Sequence, residues 1–109
     1  MKEKLLSMLG IARRAGKIAM GFDAAAEAMH KGEARLLVLA ADLSERTERA
    51  VRRIAEETNT PVMPSDFDMD RMGDAVGRRK TGIIAINDSG FAKKINTLCA
   101  EKQTGGMVV

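Results

Sequence analysis

The chain has 109 residues with a formal net charge of +3, and 45% of the residues are hydrophobic. This length and balance predict one globular domain with its own core. The only aromatic residues are three Phe, which excludes RNA-binding folds that stack bases on a sheet of aromatic rings. One Cys and one His exclude an internal disulfide and metal sites of the Cys/His cluster type. We therefore expect no metal and no cofactor.

The sequence contains no sign of a membrane or export segment. No apolar run approaches the ~20 residues that a membrane helix needs. Residues 1–9 alternate Lys and Glu before their apolar positions and lack a long apolar region with a cleavage site. We therefore expect a cytoplasmic protein without membrane contacts. Separately, we expect it to be a monomer.

The first third of the chain predicts a helix, a strand and a second helix. Apolar residues at helical spacing predict a helix over 2–15, with Gly16 as its C′ residue. Residues 17–20 predict a short edge strand. Asp23 is a good N-cap residue, and the alanine-rich segment 24–31 that follows has high helix propensity.

The middle of the chain predicts a buried strand followed by an amphipathic helix. Residues 36–40 form a continuous apolar run of strand length, which is typical of a strand buried on both faces. Ser44 is the predicted cap of a helix over 45–58, whose apolar residues share one face.

The segment that follows predicts a short strand, a short helix and a basic loop. Residues 62–63 are apolar and predict the strand. Ser65 with Asp68 resembles a capping box that opens a short helix ending at Ala75. Residues 77–82 form a loop with three consecutive basic residues between two glycines.

The last elements complete the predicted fold. Residues 83–86 predict a second buried strand, and Asp88 or Ser89 caps the last helix. Apolar strands separated by amphipathic helices imply a sheet covered on both faces. The predicted fold class is α/β, a three-layer α/β/α sandwich with a small mixed four-stranded sheet. We expect a single domain over 1–102 and a flexible C-terminal tail over 103–109.

The charges are unevenly distributed along the chain. Residues 1–17 carry a net charge of +4, and loop 77–82 carries three basic residues and no acid. Residues 66–74 carry a net charge of −3. If the two basic segments converge in the fold, they form a phosphate-binding patch. The alternative is that they are ordinary solvated charges on helix ends and loops.

The sequence offers little support for catalysis. His30 lies near a helix C-terminus, where a cation is favoured, and Cys99 lies in the apolar stripe of the last helix. The acidic run 66–74 lacks the glycine and terminal Glu of a calcium loop. An enzyme that uses Asp42, at the end of a buried strand, is a weaker alternative without visible partner residues. We therefore expect a protein that is not an enzyme.

Several segments, taken together in their order and spacing, resemble the ribosomal protein L7Ae/L30e family. The resemblance covers about residues 4–100, and the segment 88–94 is similar to a short bacterial branch of the family. The matching segments are residues 12–18, 21–23, 31–42, 60–62, 72–77 and 83–86.

The resemblance implies the same three-layer sandwich and binding to kink-turn RNA, a duplex sharply bent at an internal loop. In the family, the N-terminus of the second helix reads guanines of sheared G·A pairs, and the loop before the last strand covers flipped-out bases. The residues carried over by position are Gly21, Phe22, Asp23, Ala24 and Glu27 in the helix, Val76, Gly77, Arg78, Arg79 and Lys80 in the loop, and Arg13, Arg14, Lys17 and Lys31 as basic support.

The strong kink-turn readers of the family carry G-T-N-E-V-T-K at positions 21–27, and this chain departs from them at three positions that contact the RNA. Asp23 replaces Asn and loses a donor, Ala24 replaces a Glu that accepts from guanine, and Glu27 replaces Lys. Each lost base contact costs ~1–3 kcal/mol of discrimination. The resemblance thus implies a non-catalytic, ribosome-associated protein that binds structured RNA, ribosomal or otherwise kink-turn-like. The alternative is a protein-interaction domain of the same fold that has lost kink-turn recognition.

Overall fold

A computed structural model of the chain describes residues 2–107, and it describes side chains for residues 3–98. Helices and strands alternate along this part of the chain. The elements in order are α1 (Lys2–Arg14), β1 (Ile18–Met20), α2 (Phe22–His30), β2 (Leu36–Leu39), α3 (Glu45–Glu57), β3 (Val62–Pro64), α4 (Met69–Ala75), β4 (Ile83–Ile86) and α5 (Ser89–Met107).

The four strands form one mixed sheet in the order β1-β4-β2-β3. Strand β4 is antiparallel to both β1 and β2, whereas β3 is parallel to β2. Every residue of the two central strands β2 and β4 is buried. This confirms the predicted mixed four-stranded sheet and the two strands that are buried on both faces.

Helices cover both faces of the sheet, as predicted. Leu36 and Val38 point to a cluster that includes buried residues of α1, α4 and α5. Leu37 and Leu39 point to a second cluster with α2 and α3. Because successive side chains of a strand alternate between faces, one apolar run supplies both cores. The α/β/α sandwich is therefore confirmed.

Three predicted helix ends are present. Gly16 adopts φ 72°, its N–H donates to the Arg13 carbonyl at 2.9 Å, and the Lys17 N–H donates to the Ala12 carbonyl at 2.9 Å, as in a Schellman motif. The Ser44 side chain accepts the Thr47 N–H at 3.2 Å and caps α3. The Asp88 carboxylate accepts the Phe91 N–H at 2.9 Å and caps α5, which decides between the two predicted caps.

The prediction that Asp23 caps α2 is wrong. The helix begins at Phe22, and Gly21 is its N-cap, without a side-chain hydrogen bond. The Gly21 N–H donates to the Ile83 carbonyl at 2.8 Å, while the Gly21 carbonyl accepts the Ala25 N–H at 3.0 Å. Because this bond to β4 fixes Gly21 at the end of β1, the helix starts two residues earlier than the local sequence suggests.

The predicted capping role of Ser65 is also wrong. Ser65 is buried, and its hydroxyl donates to the Leu39 carbonyl at 2.8 Å. Asp68 is the N-cap of α4, with its carboxylate accepting the Arg71 N–H at 2.8 Å. Asp42 reinforces this helix start by accepting the Met69 N–H at 2.9 Å. Asp42, the residue considered for catalysis, thus has a structural contact at the N-terminus of α4.

The predicted boundary at residue 102 falls inside α5, which continues to Met107. The flexible tail over 103–109 stays a prediction, and residues 108 and 109 lie outside the described residues. The side chain of Cys99 also lies outside them. Within residues 2–107, no helix combines the length and the apolar character that crossing a bilayer requires.

Candidate functional site

The N-terminus of α2 presents unpaired backbone donors at the surface. The first N–H groups of any helix lack an acceptor within the helix, and no side chain caps this one. Asp23 and Ala24 are exposed, whereas Phe22 is half-buried and packs against the core beneath α2 and α3. This helix end can donate hydrogen bonds to an anion or to the edge of a base.

The basic loop is held against α4 by backbone contacts. The Arg78 N–H donates to the Gly73 carbonyl at 2.7 Å, and the Thr81 N–H donates to the Met69 carbonyl at 3.0 Å. A Cβ atom at Gly73 would lie 2.6 Å from the Arg79 carbonyl oxygen, so only glycine fits beneath the loop. The loop is therefore docked on the helix, while the side chains of its three basic residues remain exposed.

Helix α1 brings a further cation to this loop. A Cβ atom at Gly77 would lie 3.7 Å from Nη1 of Arg13. At Gly10, a Cβ atom would lie 2.8 Å from the Ala75 carbonyl oxygen, so α1 crosses the end of α4 closely. The end of α1 and the loop therefore converge, as the phosphate-patch hypothesis requires, although they are about sixty residues apart in sequence.

The loop ends beside the N-terminus of α2. Gly82 is followed by Ile83, whose carbonyl accepts the Gly21 N–H. The uncapped helix end thus adjoins the end of the basic loop, and Arg13 approaches the start of the loop at Gly77. We treat these linked parts as one candidate binding edge. We call this edge the α2–loop surface, and it comprises Arg13, Gly21, Phe22, Asp23, Ala24, Gly77, Arg78, Arg79 and Lys80.

Five of the predicted site residues are not part of this edge: Lys17, Val76 and Arg14, and the Glu27–Lys31 pair on α2. Lys17 precedes β1, at the opposite end of that strand from Gly21. Four residue steps along a strand separate the two residues by about 13 Å. The Val76 side chain is 1% exposed and belongs to the core, so it cannot cover a flipped-out base. Arg14 lines a separate groove of about 470 Å³ between α1 and Ala75.

Lys31 and Glu27 neutralise each other on α2. The Lys31 ammonium lies 2.7 Å from a Glu27 carboxylate oxygen, one helical turn away. This hydrogen bond and the charge of Lys31 lower the pKa of Glu27. The same contact with Glu27, together with attraction by Glu33, raises the pKa of Lys31. Lys31 therefore contributes little free positive charge at the α2 surface.

The described residues contain no cluster of three His, Cys, Asp or Glu side chains placed to hold a metal ion. Arg71 lies over the ring of Phe67, with its guanidinium carbon 5.9 Å from the ring centroid. In the acidic run 66–74, Asp68 thus caps a helix and Arg71 makes a cation–π contact.

The close backbone contacts of Gly10 and Gly73, which hold α1, α4 and the basic loop together, were not predicted from the sequence. Gly10 and Gly73 lie inside helices, where glycine is unfavourable by about 1 kcal/mol relative to alanine. A glycine within a helix is itself a signal that another backbone comes near. Here the neighbouring backbones are Ala75 and the Arg78–Arg79 segment.

The fold and its exposed edge define an α/β/α sandwich that presents a helix end beside a basic loop. The model of the ribosomal protein L7Ae/L30e/S12e/Gadd45 family matches residues 3–103. The chain belongs to this family, which confirms the resemblance found in the sequence.

Two relatives match the sequence of this chain over most of its length. It is 28% identical over 93 residues to the RNA-binding protein YlxQ of Bacillus subtilis (strain 168), covering 84% of this chain and 90% of the relative. The RNA-binding protein YlxQ of Enterococcus faecium is 27% identical over 99 residues, covering 89% and 92%.

Two solved structures superpose on most of the chain. A protein of unknown function from Bacillus halodurans matches with a TM-score of 0.83 and 27% identity, covering 89% of this chain and 97% of its own. A 15.5 kD RNA-binding protein from Giardia lamblia has a TM-score of 0.73, covering 94% and 88%. At 17% identity, the second match supports the fold alone.

Proposed function

We propose that this protein is a non-catalytic RNA-binding protein that binds structured, kink-turn-like RNA with its α2–loop surface. It acts in the cytoplasm as a monomer associated with the ribosome, and its RNA is ribosomal RNA or another kink-turn-like RNA. The observation that carries this proposal is the uncapped α2 N-terminus beside a docked basic loop. The names of the two YlxQ relatives support RNA as the partner.

The cations of the surface supply affinity through phosphate contacts. Arg13 and the three basic residues of segment 78–80 are exposed, and none forms an ion pair within the described part of the chain. Neutralising phosphates releases counterions, which gives an affinity that falls steeply with salt. This contribution depends on charge and position and not on base identity.

The α2 N-terminus supplies the shape-dependent part of recognition. Its free backbone amides can donate to a base edge or to a phosphate oxygen in a groove that admits the helix end. Asp23 lies among these amides, and its carboxylate accepts but cannot donate. We therefore propose a preference for bent RNA that depends more on shape than on the identity of the guanines.

A second candidate function rests on the charge of α2. Asp23 and Glu27 are acidic. Among the described residues, the only cation of this helix surface is Lys31, and it forms an ion pair with Glu27. A helix end of this charge repels phosphates. It is compatible with the alternative of a protein-interaction domain that keeps the fold and has lost kink-turn recognition.

The two functions are separated by titrating the purified protein with a kink-turn RNA and with a straight duplex of equal length. We expect binding to both at low salt, with the kink-turn bound more tightly. Replacing Arg13 and Arg79 by Gln lowers the slope of log K against log salt by about 1–2 units. Replacing Arg46 and Arg53, exposed on α3, removes the same charge as a control and leaves the slope nearly unchanged.

Two outcomes would contradict the proposal. In the first, the wild-type protein binds neither RNA at low salt, which favours the protein-interaction domain. Alternatively, the Arg13 and Arg79 variant binds with the same affinity and slope as the α3 control, which removes the α2–loop surface from the contact.

A further inference from the structure

A second group of cations lies at the end of the sheet opposite Gly21 and the uncapped N-terminus of α2. Lys17 precedes β1 and Arg35 precedes β2, and these strands flank β4 on its two sides. The Lys17 carbonyl accepts the Asn87 N–H at 2.7 Å, and the Arg35 N–H donates to the Ile86 carbonyl at 2.7 Å. Since neighbouring strands are ~4.8 Å apart, Lys17 and Arg35 lie about 10 Å from each other across the end of β4.

Helix α5 adds two cations to this end of the sheet. Lys93 and Arg35 line one groove of about 300 Å³, together with the polar side chains of Ser89 and Asn96. Lys93 and Lys94 line a neighbouring groove of about 450 Å³. Four cations from three separate parts of the sequence therefore surround the point where β4 passes into α5.

Like the cations of the α2–loop surface, these four cations have no acidic partner among the described side chains. Lys31, Arg49 and Arg52 each pair with a Glu one turn earlier in the same helix. Within residues 3–98, no ion pair involves Lys17, Arg35, Lys93 or Lys94.

Two carboxylates lie near this surface, and both have other contacts. Asp88 accepts the Phe91 N–H as the cap of α5. Glu33 lines a different pocket beside Asn87 and attracts Lys31. Both carboxylates keep their negative charge, but the four cations outnumber them, so the surface keeps a net positive charge.

We infer that this surface, which we call the α5 surface (Lys17, Arg35, Lys93 and Lys94), binds the phosphate backbone of RNA at a second place. The inference rests on the proposed function. RNA fits better than a protein partner because phosphates recur every few ångströms along a strand and can meet spaced cations. A protein interface is anchored by buried apolar or aromatic side chains. The exposed large hydrophobic residue of the described chain is Ile11, which lines the groove beside Arg14 instead.

The position of the α5 surface determines which RNA reaches it. It lies at the other end of the sheet from Gly21, in a molecule with extents of 37 × 28 × 27 Å. A short kink-turn with trimmed stems contacts the α2–loop surface alone. The same RNA with an extended stem, or a folded ribosomal RNA fragment, contacts both surfaces.

The test compares a trimmed kink-turn RNA with the same RNA carrying a stem extended by about two helical turns. The variant is Arg35→Gln/Lys93→Gln, and the charge-matched control is Arg46→Gln/Arg53→Gln on α3. We expect the first variant to lower the salt slope for the extended RNA by about 1–2 units and to leave the trimmed RNA unchanged. The control and the wild-type protein should give equal slopes for both RNAs.

Several results overturn the inference, and they are distinguishable from a failure of the proposed function. If the Arg35/Lys93 variant and the α3 control give equal slopes on the extended RNA, the α5 surface does not contact RNA. A lowered slope of the Arg13/Arg79 variant would still support the first site. If the wild-type protein binds neither RNA, both proposals fail. If the Arg35/Lys93 variant binds the extended RNA and deproteinised ribosomal RNA normally but loses binding to purified ribosomes, the partner of this surface is an acidic protein.

Discussion

The N–H of Gly21 donates a 2.8 Å hydrogen bond to the carbonyl of Ile83. This bond joins the last residue before α2 to the first residue of β4, which directly follows the basic loop segment. The bond therefore couples the position of the helix end to the position of the loop. It also fixes Gly21 at φ 93° and ψ 167°, a conformation that is essentially restricted to glycine.

Gly21→Ala is expected to lower the free energy of unfolding by about 1–3 kcal/mol. An added Cβ atom meets no neighbouring atom within 4 Å, so the loss comes from the backbone conformation and not from a clash. Urea denaturation followed by circular dichroism measures it. An unchanged unfolding midpoint would mean that another residue can adopt this backbone conformation.

The contrast between Asp23 and Asp68 tests which acidic residues cap helices. Asp68→Ala removes a hydrogen bond to the Arg71 N–H and should cost about 1 kcal/mol of stability. Asp23→Ala removes no capping bond, so only the attraction between the carboxylate and the helix dipole is lost, about 0.3–1 kcal/mol, and the higher helix propensity of alanine offsets part of it. Chemical denaturation of both variants ranks them. A larger loss for Asp23→Ala would restore Asp23 as the cap.

The order of elements and the sandwich could be predicted because apolar periodicity and helix-ending glycines are local signals. The start of α2 could not, since the Ile83 carbonyl that determines it lies sixty residues away. Lys17 and Gly21 are close in sequence, but an extended strand separates them. Val76 was predicted as a loop residue, and only packing against the core shows that its side chain is buried.

Gly73→Ala is expected to destabilise the protein, although alanine favours helices by about 1 kcal/mol. The new Cβ atom would lie 2.6 Å and 2.8 Å from two backbone carbonyl oxygens of the basic loop, which must move away. Gly82→Ala is the comparison, because its Cβ atom meets the movable side chains of Leu43 and Met69. We expect a lower melting temperature and weaker RNA binding for Gly73→Ala than for Gly82→Ala. A stabilised Gly73→Ala protein would contradict the close docking of the loop.

The Glu27–Lys31 pair gives a prediction for pH. Because the pKa of Glu27 is lowered in the folded protein, its stabilising contribution is present above the ordinary Glu pKa and is lost as pH falls through the lowered value. Lys31→Gln should return the Glu27 pKa toward its ordinary range. Carboxyl-detected NMR titration of both proteins measures the change. Identical Glu27 titration curves would show that the pair does not persist in solution.

The departures on α2 predict a gain of function. The triple variant Asp23→Asn/Ala24→Glu/Glu27→Lys supplies an amide donor, a carboxylate acceptor and a cation where the strong kink-turn readers have them. We expect its preference for a kink-turn over a straight duplex to increase by roughly 1–3 kcal/mol for each base contact formed.

The single variant Glu27→Lys controls for charge, because it breaks the pair with Lys31 and adds positive charge without supplying a base-reading group. It should strengthen binding to both RNAs alike, since phosphates occur in every sequence. Competition titrations with the two RNAs at one salt concentration separate these effects. If the triple variant gains affinity equally for both RNAs, the α2 N-terminus contacts only the backbone, and the guanine-reading geometry of the family is absent here.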